Sequence, residues 1–365
     1  MNTHRPLVQW TLYSLTVLLM AAQCQPSSTG PAPDHFIIGY VTGAGSTPGS
    51  GSIVLRWAPT GATLDWRDGR FPVSVDPGTG VGVMTDNVPA MHIAMTNYSA
   101  NQIQLVWGLG TEIWDGNALS PTTWTPESSP VGIPIDHPKY AIAYRRAGGS
   151  VTVAIYDHDT RSMIADVGPP HALNTSVEGR PDMVRMGNTV VLAWRRWNGS
   201  TFDLVTARGT ISGENLSFAT PQVVATPSST GSSGLRVGIQ SDPALARTET
   251  RFLLGAVREE TGTGSGGLHG WRTHFFESTD GQSWSTNAIS AALDVTNSSL
   301  IGLAGVRGEK VIAVAFDRSS SGTVDVSGAV LSGSASWQGM PASEESDMIA
   351  GTPNFRHFAL IGVIK

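Results

Sequence analysis

Apolar residues along this chain keep no helical spacing; they come in short runs of five or six, alternating or continuous, bounded by Gly, Asn and Arg turns. Such runs read as β-strands, and the continuous ones as strands buried on both faces. One arrangement repeats. A Pro followed by a short apolar run occurs at Val88-Pro89-Ala-Met-His-Ile-Ala94, His137-Pro138-Lys-Tyr-Ala-Ile-Ala143, Arg180-Pro181-Asp-Met-Val184, Asp242-Pro243-Ala-Leu-Ala246 and Thr352-Pro353-Asn-Phe355, with Ser298-Ser299-Leu-Ile-Gly-Leu303 in the same frame. With positions 89, 138, 181, 243, 299 and 353 as anchors, the intervals are 49, 43, 62, 56 and 54 residues. A second run follows after a polar turn, as in Ile103-Gln-Leu-Val-Trp107, Val151-Thr-Val-Ala-Ile-Tyr156, Thr189-Val-Val-Leu-Ala-Trp194, Phe252-Leu-Leu-Gly-Ala-Val257 and Val311-Ile-Ala-Val-Ala-Phe316. Third runs include Leu204-Val-Thr-Ala-Arg208 and His274-Phe-Phe276.

Intervals of this size, each holding several short strands, predict radial repetition of small antiparallel sheets: an all-β chain folded as a six-bladed β-propeller. A two-sheet sandwich has no reason to repeat at this length. The last anchor leaves only 13 residues, so the N-terminal runs His35–Tyr40, Ile53–Trp57 and Phe71–Val75 are expected to complete its blade. Closing the ring with both termini removes two unpaired sheet edges.

The beginning of the chain stands apart. His4 and Arg5 precede an apolar stretch from Leu7 to Ala22, which has the length of an export signal and is too short for a lone membrane span. Leu19-Met20-Ala21-Ala22-Gln23-Cys24 resembles a bacterial lipobox, which implies cleavage before Cys24 and lipidation of its thiol; ordinary secretion is the alternative. The expected layout is a signal peptide over 1–23, a flexible tether over 24–33 and the propeller over 34–365, held at the cell envelope. Cys24 is the one cysteine, which excludes an intramolecular disulfide and any Cys-based metal site. The chain is turn-rich and charge-poor, with 42 Gly, 22 Pro and 14% charged residues, and a helical bundle would need far more Glu, Lys and Ala. A net charge of −6, with Lys139, Lys310 and Lys365 as the only lysines and no basic run, excludes a nucleic-acid groove. No cofactor is expected. The expected partners are a glycan or other small ligand and, through Cys24, a membrane; the chain is expected to act as a monomer.

Glu277-Ser278-Thr279-Asp280-Gly281-Gln282-Ser283-Trp284 resembles the Asp-box of the sialidase-like (BNR repeat) propellers, one residue shorter than that family's Ser-x-Asp-x-Gly-x-x-Trp turn. Ser278 and Asp280 are suited to bond the turn backbone, Gly281 to take a positive φ, and Trp284 to plug between blades. The resemblance implies a structural role on the face away from an active site. Of the family's Phe-Arg-Ile-Pro-like motif, Gly69-Arg70-Phe71-Pro72 and Gly179-Arg180-Pro181 match only fragments, so the resemblance implies a fold and not sialidase catalysis.

In a propeller the starts of the inner strands and the ends of the second strands meet at one mouth of the central funnel. In the frame above, His137, Arg180 and Asp242 meet there with Arg195, Arg196 and Trp197, and with Arg258, Glu259 and Glu260. Arg180, Arg195, Arg196 and Arg258 suit a clamp on a carboxylate, with His137 and Trp197 as further ligand contacts. Asp242 with Glu259 or Glu260 would supply the two carboxyl groups of glycoside hydrolysis. Asp136-His137 and Asp157-His158-Asp159 offer oxygen and imidazole ligands to a metal, without diagnostic spacing. Three readings stay open: glycan binding in the funnel, a glycoside hydrolase, and a protein-interaction scaffold whose mouth loops are merely solvated.

Overall fold

The apolar runs form the strands expected of them. The computed structural model describes residues 34–42, 51–60, 64–68, 74–75, 79–85, 90–97, 102–109, 112–114, 118–119, 131–136, 139–145, 150–157, 160, 162–168, 178–199, 201–225, 242–260, 270–287, 298–318, 324–332, 337–341, 343, 348 and 353–363. The export-signal and tether readings, Cys24 included, lie outside them.

The described strands form six antiparallel meanders. Meander 1 holds β1 (His35–Thr42), β2 (Gly51–Pro59), β3 (Arg67–Asp68) and β4 (Ser74–Val75). Meander 2 holds β5 (Thr79–Thr85), β6 (Ala90–Asn97), β7 (Gln102–Leu109), β8 (Glu112–Trp114) and β9 (Ala118–Leu119). Meander 3 holds β10 (Val131–Asp136), β11 (Lys139–Arg145), β12 (Val151–Asp157) and β13 (Ser162–Asp166), and one parallel contact, Gly132 with Met84, joins it to β5. Meander 4 holds β14 (Asp182–Met186), β15 (Thr189–Trp197), β16 (Phe202–Ser212), β17 (Asn215–Phe218) and β18 (Gln222–Ala225). Meander 5 holds β19 (Ala244–Arg247), β20 (Phe252–Glu260), β21 (Gly270–Ser278) and β22 (Ser285–Asn287). Meander 6 holds β23 (Ser298–Gly305), β24 (Lys310–Arg318), β25 (Val324–Ser332) and β26 (Gln338–Gly339). The last strand, β27 (Pro353–Val363), pairs with β1 from His35↔Val363 to Thr42↔Pro353, so strands from both ends of the chain share meander 1.

Why the runs are continuous is visible in β15. Val190, Leu192 and Trp194 point one way, into a core shared with Ile133, Val153 and Ile155 of meander 3. Val191 and Ala193 point the other way, against Phe252, Leu254 and Phe276 of meander 5. A third core joins Phe275 and Leu253 of meander 5 to Val311 and Ala313 of meander 6, and a fourth joins Ile312 and Val314 of meander 6 to Phe36 and Ile38 of meander 1. Meanders 4, 5 and 6 are therefore each a layer between two others, and each fully buried large side chain contributes about 1.5–3 kcal/mol.

The first strands run in one direction. Asp182, opening β14, accepts from the N–H of Leu245 near the start of β19. At the other end Arg185 of β14 donates to the carbonyl of Ile135 near the end of β10, and Gly305, ending β23, lies against the carbonyl of Arg247, ending β19. Neighbouring first strands also touch: β5 with β10 and β27, β10 with β14, β14 with β19, β19 with β23, and β23 with β27. The end where β14 and β19 begin is called the upper end below.

The strand frame differs from the sequence reading in two meanders. Positions 89 and 138 precede the second strands β6 and β11, not the first strands, because β5 (Thr79–Thr85) and β10 (Val131–Asp136) come before them. Thr79-Gly-Val-Gly-Val83 and Val131-Gly-Ile-Pro-Ile135 carry Gly or Pro at alternate positions, which weakens the apolar signal that marks a strand. From position 181 onward the expected frame and the described strands coincide.

Candidate functional site

The upper end of meanders 4 and 5 brings together three of the residues singled out by sequence. Arg195 lies near the end of β15, Arg180 just before β14 and Asp242 just before β19. Arg195 Nε is 2.8 Å from Asp242 Oδ1, with side chains 27% and 23% exposed. That oxygen also accepts the backbone N–H of Arg180 at 3.1 Å. The pair is reachable from solvent, so its contribution to stability is small, about 0–1 kcal/mol, and its groups remain accessible to a ligand.

Close backbone approach makes this possible. Gly179 donates its N–H to the carbonyl of Arg195 at 2.9 Å. A Cβ there would lie 2.2 Å from Asp242 Oδ1 and 2.4 Å from Arg195 Cγ, so only glycine fits beneath the pair. An aromatic shelf adjoins it: the Arg195 guanidinium sits over the Phe202 ring at 4.8 Å, and Trp197 meets Phe202 edge-on with centroids 5.1 Å apart. Arg196 and Trp197 are half-buried on the last residues of β15, where the backbone of Arg196 pairs antiparallel with that of Glu178. Guanidinium, carboxylate and half-exposed indole are the groups that bind the hydroxyls and apolar face of a sugar.

Two carboxylates beneath this mouth were not singled out by sequence. Glu178 is 3% exposed and accepts from the backbone N–H of Val151 and, at 3.0 Å, from Trp194 Nε1. It thereby ties meander 3 to meander 4. Asp182 accepts from Leu245 N at 2.6 Å and Met183 N at 2.8 Å. Burial pushes its carboxyl above the usual range, opposed first by the Leu245 N–H, then by the charge of Arg180 and the Met183 N–H. Its bond to Leu245 satisfies an edge N–H of an inner strand that has no further strand beside it. A lone Glu or Asp next to a strand start carries no sequence signal for such a role.

The remaining candidates divide. Arg258, Glu259 and Glu260 end β20 in register with Arg272, Trp271 and Gly270, so their backbone lies at the upper end of meander 5, the end that carries Asp242. Asp136 ends β10 and Asp157 ends β12, both at the lower end given the strand directions above. Nearby, Lys139 forms an ion pair with Glu214 in the turn after β16. The inner-strand frame assumed for meander 3 is thus corrected, and with it the expectation that the Asp136 and Asp157 loops share a mouth with Asp242. His137, His158 and Asp159 lie outside the described residues. Among the described residues no group of three or more His, Cys, Asp or Glu is placed to hold a metal.

At the lower end of meander 5 the turn after β21 is held by its own side chains. Ser278 Oγ accepts from Gly281 N at 2.8 Å, and Asp280 Oδ1 accepts from Gln282 N at 2.8 Å and Ser283 N at 2.7 Å. Gly281 has φ 71°. These bonds hold the Asp280 carboxyl down at about 2, the Ser283 N–H contributing most and partial burial opposing. Trp284 packs on the core shared by meanders 4 and 5.

No family model and no curated protein matches the chain. Among solved structures it is similar to a protein of unknown function from Dyadobacter fermentans, with TM-score 0.53 and 11% identity over 82% of this chain and 91% of that one. It is also similar to the Aleuria aurantia lectin, described as a six-bladed β-propeller with a novel fucose recognition mode, at TM-score 0.48 and 11% identity over 85% and 96% of the two chains. A thermostable family-43 glycoside hydrolase gives TM-score 0.46 and 11% identity over 76% and 96%. Identities this low speak to fold alone, and the stacked meanders are the blades of a β-propeller.

Proposed function

We propose that this chain is a glycan-binding β-propeller of six blades, closed into a ring by β27 and β1 in one blade, whose ligand enters the upper mouth at blades 4 and 5. The observation that carries the reading is the Arg195–Asp242 pair, half-exposed beside Trp197 and Phe202. Asp242 Oδ1 accepts the backbone N–H of Arg180 and lies in an ion pair with Arg195, while no described residue donates to Oδ2, which leaves that oxygen for a sugar hydroxyl. The circuit of contacts among the six first strands supports the ring. The lipobox-like segment ending at Cys24 supports export and lipid anchoring at the cell envelope, and the Ser278–Trp284 turn supports a relation to the sialidase-like propellers.

A carboxylate engaged by a guanidinium and an N–H is placed to accept, whereas a glycosidase acid must donate. Binding therefore ranks ahead of hydrolysis by Asp242 with Glu259 or Glu260. Glycan-array binding that weakens about tenfold or more in Asp242→Asn and in Arg195→Ala is the expected result, since a charge-assisted hydrogen bond is worth that factor. Turnover of fluorogenic glycosides that disappears in Asp242→Asn would replace it with the hydrolase reading. Neither binding nor turnover across a broad panel would leave the interaction scaffold. Mass spectrometry of the mature N-terminus tests the anchor, and an unmodified Cys24 would refute it.

A further inference from the structure

Sheet pairing stops short of the groups that form the mouth. The ladder of β19 with β20 begins at Ala244↔Gly255, so Asp242 lies two residues outside it. The ladder of β14 with β15 begins at Asp182↔Ala193, so Arg180 also lies outside. Pro243 stands between Asp242 and its ladder and Pro181 between Arg180 and its own, and neither has an N–H to give a neighbour. The place of the Asp242 carboxylate must therefore be set by side chains.

Two carboxylates lace the first strands of blades 4 and 5 together, each reaching from one strand to the backbone of the other. From blade 5, Asp242 Oδ1 accepts the N–H of Arg180 at 3.1 Å. From blade 4, Asp182 Oδ2 accepts the N–H of Leu245 at 2.6 Å. Asp182 is itself held, because its Oδ1 accepts the N–H of Met183 in its own strand at 2.8 Å. Alternation along β14 puts it on the blade-5 face, the side of Val184. Leu245 is fixed from its other sides too, by its register with Leu254 and by the core shared by blades 4 and 5. From Leu245 to Asp242 the chain runs only three residues, about 10 Å if extended, and Pro243 removes the φ freedom of one of them. So short and stiff a segment carries the position of one end to the other.

Building on the mouth as the binding site, we infer that Asp182 is a positioning residue for it: by holding Leu245 it sets where the Asp242 carboxylate meets Arg180 and Arg195. Asp182 acts through the backbone of blade 5 and touches no ligand.

The Arg195 Nε–H resonance reads the Arg195–Asp242 pair without a ligand, in the full chain carrying isotope-labelled arginine, and its loss in Arg195→Lys identifies it. Asp242→Ala is expected to shift this resonance and speed its exchange with water. Asp182→Ala is expected to move it in the same direction, and Asp182→Asn, whose amide oxygen still accepts from Leu245 N–H, to bring it back toward the parent. In an Asp242→Ala background Asp182→Ala should add nothing, a result that a general loosening of the fold does not give. Asp182→Glu keeps the carboxylate but displaces it by one methylene, so it should shift the resonance even if Asp182→Ala fails to fold. On a glycan array, any binding that Asp242→Asn weakens should weaken severalfold in Asp182→Ala. An Arg195 resonance unmoved in the Asp182 variants, or moved equally in the Asp242→Ala background, would overturn the positioning role. Glycan binding that is indifferent to Asp242→Asn would instead overturn the mouth as the binding site, and the Arg195 resonance would still decide whether Asp182 places Asp242.

Discussion

Replacing Gly179 by Ala puts the geometry of the mouth to a direct test. The new methyl would lie 2.2 Å from Asp242 Oδ1, 2.4 Å from Arg195 Cγ and 2.7 Å from Arg195 Nε, all below van der Waals contact. Arg195 Cγ is close to its own backbone, and Gly179 N–H holds that backbone through the Arg195 carbonyl, so the methyl cannot be relieved by swinging one free chain end. Overpacking of this kind costs about 1–3 kcal/mol. The Arg195–Asp242 pair itself adds at most about 1 kcal/mol at this exposure, so loss of the pair alone cannot account for a cost near the upper limit. Gly179 is not among the residues with positive φ, so its backbone accepts Ala. In a background of Arg195→Ala with Asp242→Ala all three clashing atoms are gone, and Gly179→Ala should then stabilise by about 0.4–1 kcal/mol through the unfolded chain. The sign of the effect reverses between backgrounds. Urea midpoints read by tryptophan fluorescence for the four proteins measure it. A cost that is the same in both backgrounds, or none in the parent, would refute the close approach on which the site depends.

Glu178→Gln leaves one N–H of Val151 or Trp194 without an acceptor and should cost about 1–3 kcal/mol in urea unfolding; a neutral substitution would mean that Glu178 does not join blades 3 and 4. Asp182 has a raised carboxyl in the fold, so the folded chain holds its proton longer than the unfolded one, and its contribution to stability falls as pH rises above 3.8. Stability of the parent relative to Asp182→Asn should therefore decline across that window, and a rise would reverse the assignment. Asp280 behaves oppositely: its contribution is present above 3.8 and lost as pH falls toward about 2, so Asp280→Ala should flatten that part of the acid-unfolding curve.

Much of the fold was legible because blades bury both faces of their strands. Val190 to Trp194 reads as one apolar run since alternate residues enter different cores, and the same holds for Val311 to Ala315. The run therefore marks the middle of a sheet. Inner strands are different, because one edge has no partner strand and side chains such as Asp182 take over its hydrogen bonds. Their apolar signal is broken by polar residues or by alternating Gly, and in blades 2 and 3 the reading attached to the stronger second strand. A Pro marks the start of either kind of strand equally well, so it could not correct the frame.

That error of one strand has a consequence for the site, because successive antiparallel strands begin at opposite ends of a blade. A one-strand shift sends every loop of the blade to the other face. It moved the Asp136 and Asp157 loops away from Asp242 while leaving Arg180, Arg195 and Asp242, whose frame was right, within contact. Residues converging from two blades were thus legible wherever both strand frames were correct. What no frame reveals is the pairing within the mouth: Arg195 and not Arg196 meets Asp242, because alternation along β15 puts its side chain on the face toward blade 5, with Val191 and Ala193. The same alternation places Thr206 and Arg208 on the blade-5 face of β16, beneath Leu204. One inter-blade surface therefore carries two guanidinium groups, and among the described residues only the upper one has a carboxylate as its ion-pair partner.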